Sequence, residues 1–305
     1  MLLALVMTAM TASAMAGYTL SVGTNEHGTI AFSVNGHAAE YASEGDEVTV
    51  TITPDDDWST GTVKGLWYAA EAAKGPRRVA AANIDLLKDF DLTPVEGDAN
   101  AFTFTMKRAN VEVSATYRKM LTHQDITIED IEAVTYNGQA QQPAVTVKDG
   151  TTTLVLGTDY TVAYSNNVNA GTATATITAA ATSENYAGDT ATTFTIEKAA
   201  IAVTAPTPRV LTYNGEAQTL IDAATQEGDG NMDGCQILYS LNDIAWSTKL
   251  PQGIDAGMYT MLYKVEANAN HNAVEVQSVD VPIYSAQMTA VTLAQTELQC
   301  NIFEP

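Results

Sequence analysis

Along most of this chain, apolar and polar side chains alternate in short runs, the period-2 signature of half-buried β-strands. Turn-forming residues punctuate the runs about every 8 to 12 positions, which predicts sandwich-like β domains. The clearest run is residues 45–54, where Val48, Val50 and Ile52 share one face and Thr49, Thr51 and Thr53 the other. Residues 29–34 lead into Asn35-Gly36, a pair that predicts a two-residue type I′ hairpin turn. Residues 101–106 and 110–117 alternate in the same way. Residues 66–91 interrupt the pattern: they are rich in alanine, and 83–90 read as a short helix or an elaborated loop.

One peptide occurs twice. Thr135-Tyr136-Asn137-Gly138-Gln139-Ala140-Gln141 and Thr212-Tyr213-Asn214-Gly215-Glu216-Ala217-Gln218 stand 77 residues apart, too far for a solenoid repeat and right for a small β domain. Asn137-Gly138 and Asn214-Gly215 are expected to form matching turns, as are Gly171 and Gly257, each of which follows an alanine. Beyond those glycines, Ala173, Ala175 and Ile177 align with Tyr259, Met261 and Tyr263 at a displacement of 86. One strand face therefore carries the core in both copies, with very different side-chain volumes. Aligning Tyr164-Ser165 with Tyr239-Ser240 makes the following loop grow from residues 166–169 to 241–255, an insertion of 11. Ile196 aligns with Ile283, and carrying that displacement of 87 forward sets Cys300-Asn301 on Tyr213-Asn214.

The succession Tyr136-Asn137-Gly138, Asp159-Tyr160, Tyr164-Ser165-Asn166-Asn167, Asn169-Ala170-Gly171, Asn185-Tyr186-Ala187-Gly188 and Phe194-Thr195-Ile196 resembles the Ig-like repeats of bacterial surface and cell-wall proteins, in the group that includes the MBG-type domains. The pattern GDEVTVTITP, FTFTM and NVEVSATY in residues 45–117 resembles a divergent internalin-type B-repeat of bacterial surface proteins. These resemblances imply a mainly-β tandem array of small modules. Its expected parts are a signal peptide at 1–16, a β-grasp-like module at 17–119, Ig-like β-sandwiches at 120–198 and 199–284, and the first strand of a further module at 285–305. The array is expected to continue past Pro305; a second reading has the last strand pair with the edge of another chain. The linkers at 119–125 and 198–200 are short and hold no proline or glycine, so a semi-rigid, monomeric rod is expected.

Composition narrows the setting. The 305 residues are 46% hydrophobic with mean hydropathy −0.04, which fits folded domains. A net charge of −22, from 36 acidic and 14 basic residues, opposes nucleic acid and anionic lipid as partners. Residues 1–16 are apolar and then small, ending in Ala14-Met15-Ala16, and read as a secretory signal peptide cleaved before Gly17. No Lys or Arg precedes Lys64, so the positive n-region is missing and a start upstream of Met1 is expected; the alternative is a buried N-terminal strand. No later apolar stretch is long enough to span a membrane. Cys235 and Cys300 make no disulfide framework, and the alignment gives Cys300 the place of a repeat tyrosine.

Candidate chemistry is sparse. No nucleophile elbow, phosphate loop, H-E-x-x-H or C-x-x-C motif occurs, and no carboxylate pair is placed across a cleft. His27, His37, His123 and His271 each sit beside turn formers and read as solvated loop histidines. Asp229, Asn231 and Asp233, with Gly234, match the first half of a calcium loop, but Ser240 stands where a bidentate Glu belongs. Calcium and a plain acidic connection are the two readings. Trp58, Trp67, Tyr68 and Trp246 are candidates for stacking on a glycan, Trp246 above all because it lies in the enlarged loop; ordinary packing is the alternative. The whole points to an exported, secreted or cell-surface, non-catalytic stalk or adhesin segment with an extracellular protein or glycan as ligand and no cofactor. The alternative is a noncatalytic accessory, carbohydrate-binding region of a larger secreted enzyme.

Overall fold

A computed structural model describes residues 17–68, 88–226 and 234–287, and among them every regular element is a β-strand. The signal peptide, residues 83–87 of the stretch 83–90 expected as a short helix or an elaborated loop, the candidate calcium residues Asp229, Asn231 and Asp233, and nearly all of the last expected strand lie outside the described residues, while Asp89 and Phe90 are in the strand Asp89–Asp91. Two compact units form. One comprises the described residues up to Ile131 with Ala144–Ser165 and Thr174–Thr193; the other comprises Glu132–Pro143, Asn166–Ala173 and the described residues from Phe194.

In the first unit, residues 17–119 fold as two sheets over one core. One sheet orders Tyr41–Ala42, Tyr18–Val22, Asn110–Met120, Trp58–Tyr68 and Asp89–Asp91; the other orders His37–Ala38, Gly28–Val34, Glu47–Pro54, Asp98–Thr105 and Thr93–Val95. The alternation in Glu47–Pro54 decides which face goes inward: Val48, Val50 and Ile52 are buried, against Val111, Val113 and Trp67 of the opposite sheet in one cluster. Asn35 and Gly36 have φ of 52° and 77° between the paired Val34 and His37, which is the expected type I′ turn. The alanine-rich interruption starts later than the sequence pattern suggests, because Leu66 and Tyr68 still belong to Trp58–Tyr68 and Phe90 pairs opposite Gly65.

The same unit holds a three-stranded sheet, Ile126–Ile128, Val147–Asp149 and Thr152–Thr153. It faces the ladder in which Tyr160–Ser165 pairs with Thr174 to Ala179, and together they enclose Leu121, Val147, Leu154, Tyr160, Ala175 and Ile177. The Tyr160 hydroxyl, inside this core, donates to the Val145 carbonyl at 2.7 Å.

The second unit contains the four-stranded sheet Leu211–Thr212, Val274–Tyr284, Gly257–Val265 and Ile237–Ser240. Met261, Tyr263, Val281 and Ile283 are buried in it with Leu220 and Ile221. The aligned strands thus bury the same face with different volumes: Ala175 and Ile177 in one, Met261 and Tyr263 in the other.

One topological device recurs three times. An early strand of each segment lies parallel to its last: Leu20 opposite Val111, Val134 opposite Ile196, and Leu211 opposite Ile283. The last two pairs sit at equivalent positions of the duplicated peptide, and in each copy the following Tyr N–H, from Tyr136 or Tyr213, donates to the end of the last strand at 2.8 Å.

Ladder register corrects one alignment. Tyr239 stands opposite Tyr263, whereas Tyr164 stands opposite Ala175 and Val162 opposite Ile177. Because Ile177 and Tyr263 are equivalent, Tyr239 takes the place of Val162, two residues from the expected Tyr164. The displacement before the loop is then a uniform 77, and the insertion is 9 residues rather than 11. A shift of two preserves which face is buried, so the hydrophobic pattern alone does not register it.

Candidate functional site: the joints between segments

The duplicated turns superpose in detail. Gly138 and Gly215 have φ of 78° and 84°, conformations that cost a side-chain-bearing residue strain. Ahead of them, Asn137 Oδ1 accepts from Gln139 N–H and Asn214 Oδ1 from Glu216 N–H, both at 2.9 Å. Gly171 and Gly257 open equivalent strands with φ of 138° and 157°. These six residues shape the sheet ends.

The densest polar and aromatic clusters lie where one segment passes to the next. In the first unit, the strand Asn110–Met120 runs on into a second partner: Lys119 and Met120 pair in parallel with Tyr186 and Ala187. Lys119 N–H donates to the Asn185 carbonyl at 2.8 Å, and Leu121 N–H to Ala187 at 2.9 Å, after which Leu121 enters the next core. Above this ladder Lys119 Nζ donates to both Asp149 oxygens, at 2.8 and 3.0 Å, and the Tyr186 hydroxyl donates to Asp149 Oδ2 at 3.2 Å. Burial, and then the neighbouring Asp149 charge, push the Tyr186 hydroxyl up to about 12. Trp58 completes the cluster. The His27 ring stacks on its indole at 3.6 Å between centroids, His123 meets it edge-on at 6.0 Å, and Lys119 Nζ lies 5.8 Å over the ring.

The second unit repeats the arrangement. Ala199 bridges His271 in parallel, with Ala199 N–H donating to the Asn270 carbonyl and Asn272 N–H to the Ala199 carbonyl, both at 2.9 Å. Lys198 Nζ donates to the Asn268 carbonyl at 2.6 Å. Asn270 reaches further: its Oδ1 accepts from Ala170 N–H at 3.0 Å, and its amide donates to Asn169 Oδ1 at 3.2 Å. The His271 ring packs edge-on against Tyr136, 5.3 Å between centroids. At both places, then, the chain at or just beyond the end of a segment's last strand pairs with an Asn-aromatic-small stretch of the next, Asn185-Tyr186-Ala187 or Asn270-His271-Asn272.

These clusters revise the view of the histidines as solvated. His271 is 4% exposed, and its Nδ1 has no hydrogen-bond partner among the described residues. The His123 side chain is only 15% exposed, because it packs beside Trp58. Turn-like neighbours such as Asn270 and Asn272 point to a loop, and this loop is covered by the preceding segment.

The aromatic candidates separate. Trp67 is a core residue, stacked on Phe90 at 4.5 Å and edge-on to Phe104, so it offers no surface for a glycan. Trp58 is engaged by His27, His123 and Lys119 as described. Trp246 does lie in the enlarged loop, half-buried, with Lys264 Nζ 4.5 Å over its ring. That loop is tightly made: Tyr239 and Ser247 exchange backbone hydrogen bonds at 2.8 and 3.1 Å, and Asn242 Oδ1 accepts from the Ile244 and Ala245 N–H groups, both at 3.0 Å. Its tip presents Ile244, 85% exposed. Cys235 Sγ lies 3.6 Å from the Glu266 carbonyl. Among the described residues no three His, Cys, Asp or Glu side chains are close enough to hold a metal, and no helix is long and apolar enough to cross a membrane.

Sequence reasoning singled out the turns, Trp246 and the two short linkers at 119–125 and 198–200, but missed the contacts that close the joints there. The one local signal was the Asn-Tyr-Ala and Asn-His-Asn stretches at equivalent places before the last strand of each copy. Compared with known proteins, the chain matches no protein-family model and no curated protein.

Proposed function

We propose that this chain is an exported, non-catalytic spacer, a stalk or adhesin segment built from tandem β modules, the last two Ig-like. The observation that carries this reading is the repeated joint. A strand that leaves one segment and is bonded at once into the next gives a connection with few free backbone torsions, which suits a protein that holds something at a distance. The acidic surface, with a net charge of −22, keeps such a chain soluble and away from polyanions. Export rests on the apolar, small-residue character of residues 1–16. Adhesion follows from the resemblance to bacterial surface repeats, and the tightly built loop around Trp246 is its best candidate contact.

The test has two parts. Expression of the whole chain in a bacterial host should yield a product beginning at Gly17 outside the cytoplasm, and small-angle scattering should give an elongated profile. A compact profile overturns the reading, as does cytoplasmic retention when a positively charged n-region is restored ahead of Met1. Binding to a glycan and extracellular-protein array, compared with Trp246→Ala, then identifies the ligand-bearing loop; equal binding by both proteins removes Trp246 from it.

A further inference from the structure

The far end of residues 199–284 repeats, position for position, the end of the preceding segment that is already engaged in a joint, with Asp255 in place of Asn169 and Tyr284 in place of Glu197. Three parts make that engaged end. Tyr136 packs against His271, the Asn169-Ala170 turn holds Asn270, and Ala199 bridges His271. All three follow from where the last strand leaves the sheet, one step beyond Glu197, whose carbonyl accepts from Tyr136 N–H at 2.8 Å.

The equivalent residues are in place at the other end. Tyr284 accepts from Tyr213 N–H at 2.8 Å and sits beside Thr212 in parallel, as Glu197 sits beside Thr135. The chain therefore departs the sheet at the same point, which makes Ala286 the counterpart of Ala199, at the displacement of 87 that relates Ile283 to Ile196. Asp255-Ala256 is the counterpart of Asn169-Ala170, at a displacement of 86. What differs is cover. Tyr136 is 8% exposed, whereas Tyr213 is 41% exposed and has Tyr284 beside it at 57%. Ala199 is half-buried and bridged; Ala286 is exposed and lies outside any strand among the described residues.

We infer that Tyr213, Asp255-Ala256 and Ala286 form an open socket for a further module of this chain's own kind. The occupant is recognised by an Asn-aromatic-small stretch like Asn185-Tyr186-Ala187 or Asn270-His271-Asn272. Its Asn carbonyl accepts from the Ala286 N–H, its next-but-one N–H donates to the Ala286 carbonyl, and its aromatic ring covers Tyr213. The exposure of Tyr213 supports such an occupant over solvent, because its counterpart Tyr136 is covered by the ring of His271. A hydrophobic ligand of other chemistry would leave the Ala286 backbone groups unmatched, whereas the parallel bridge satisfies both.

This inference rests on the array reading, but its test reads a joint and neither export nor adhesion, so each fails separately. Two extended chains are compared with the native one. In the first, residues 1–285 are followed by a second copy of 199–287; in the second, they are followed by a copy of 119–198. Hydrogen exchange is followed at the amide directly after Ser285, and chemical modification by tetranitromethane is followed at Tyr213. The expected result is exchange slowed at least about 100-fold relative to Ala286 in the native chain, with Tyr213 modification slowed in parallel, in at least one extended chain. If the amide after Ser285 exchanges as fast in both extended chains as in the native chain, the socket does not exist.

Discussion

The joint at Lys119 permits a quantitative trial of how firmly one segment is fixed to the next. Lys119 Nζ lies 2.8 Å from Asp149 Oδ1, with the two side chains 16% and 20% exposed. At an effective dielectric constant of about 20, two unit charges at that distance attract by about 6 kcal/mol before desolvation is counted. Desolvation removes most of this, and the pair falls between exposed ion pairs, worth up to about 1 kcal/mol, and buried ones, whose disruption costs about 3 to 5 kcal/mol. Lys119→Met should therefore weaken the joint by about 2 kcal/mol, since it leaves the Asp149 carboxylate with the Tyr186 hydroxyl but no cation bonded to it. Asp149→Asn should weaken it less, because Lys119 retains a weaker contact, Asp125 at 3.5 Å. The double variant should be more stable than the sum of the two losses predicts. Native-state hydrogen exchange at the Lys119 and Leu121 amides, which carry the two joint hydrogen bonds, is the direct assay. A loss of 2 kcal/mol corresponds to about 30-fold faster exchange at both amides. Unchanged exchange there in Lys119→Met would refute the reasoning and leave the backbone ladder and Leu121 burial as the whole of the joint.

Three further outcomes follow from the same structure. Tyr186 is held neutral up to about 12, against about 10 for the unfolded chain. Between those values the unfolded state binds fewer protons, so the contribution is fully present below pH 10 and is lost as pH rises toward 12; after allowance for solvent screening it amounts to about 1 to 2 kcal/mol. Alkaline denaturation of wild type against Tyr186→Phe measures it, and equal pH dependence would be the contrary result. Gly65→Ala would set a Cβ 2.2 Å from Phe90 Cζ, a ring already stacked on Trp67. Thermal unfolding and near-ultraviolet dichroism should report a loss of at least about 1 to 3 kcal/mol with disturbed aromatic packing. Asn137→Ala and Asn214→Ala should each cost about 1 kcal/mol by urea unfolding, the first somewhat more because Gln141 Nε2 also donates to Asn137 Oδ1. Indifference of both turns to the change would show that glycine alone sets them.

What the sequence disclosed, and what it withheld, divides by the range of the interaction. Alternation is local, so the inward face of Glu47–Pro54 and the Asn35-Gly36 turn were readable from a few residues. The duplicated peptide carried more, because two equal turns imply two equal strand contexts, and the parallel pairs at Thr135 and Thr212 are the outcome. The register of the Tyr239 strand was not readable. A slip of two keeps every buried residue buried, and only the partner across the ladder records it. The linkers were visible as short stretches at 119–125 and 198–200, but the contacts that close them were hidden for a different reason: Lys119 and Asp149 are 30 positions apart, and Asn169 and Asn270 are 101 apart. No periodicity links such pairs, and His271, flanked by asparagines, has the local composition of an exposed turn.

The three parallel pairs between an early strand and the last also determine how each segment meets a pulling force. Tension that reaches Thr135 from the N-terminal side and leaves Glu197 toward the C-terminus draws the two in opposite directions along the strands that carry them. The hydrogen bonds between them then resist together, in shear, where an antiparallel hairpin pulled from its two open ends would unzip one bond at a time. Leu20 with Val111 and Leu211 with Ile283 place the same clamp in the other two segments. A chain built this way meets load with short, cooperative catches in series, each of which must fail as a unit before its core is exposed.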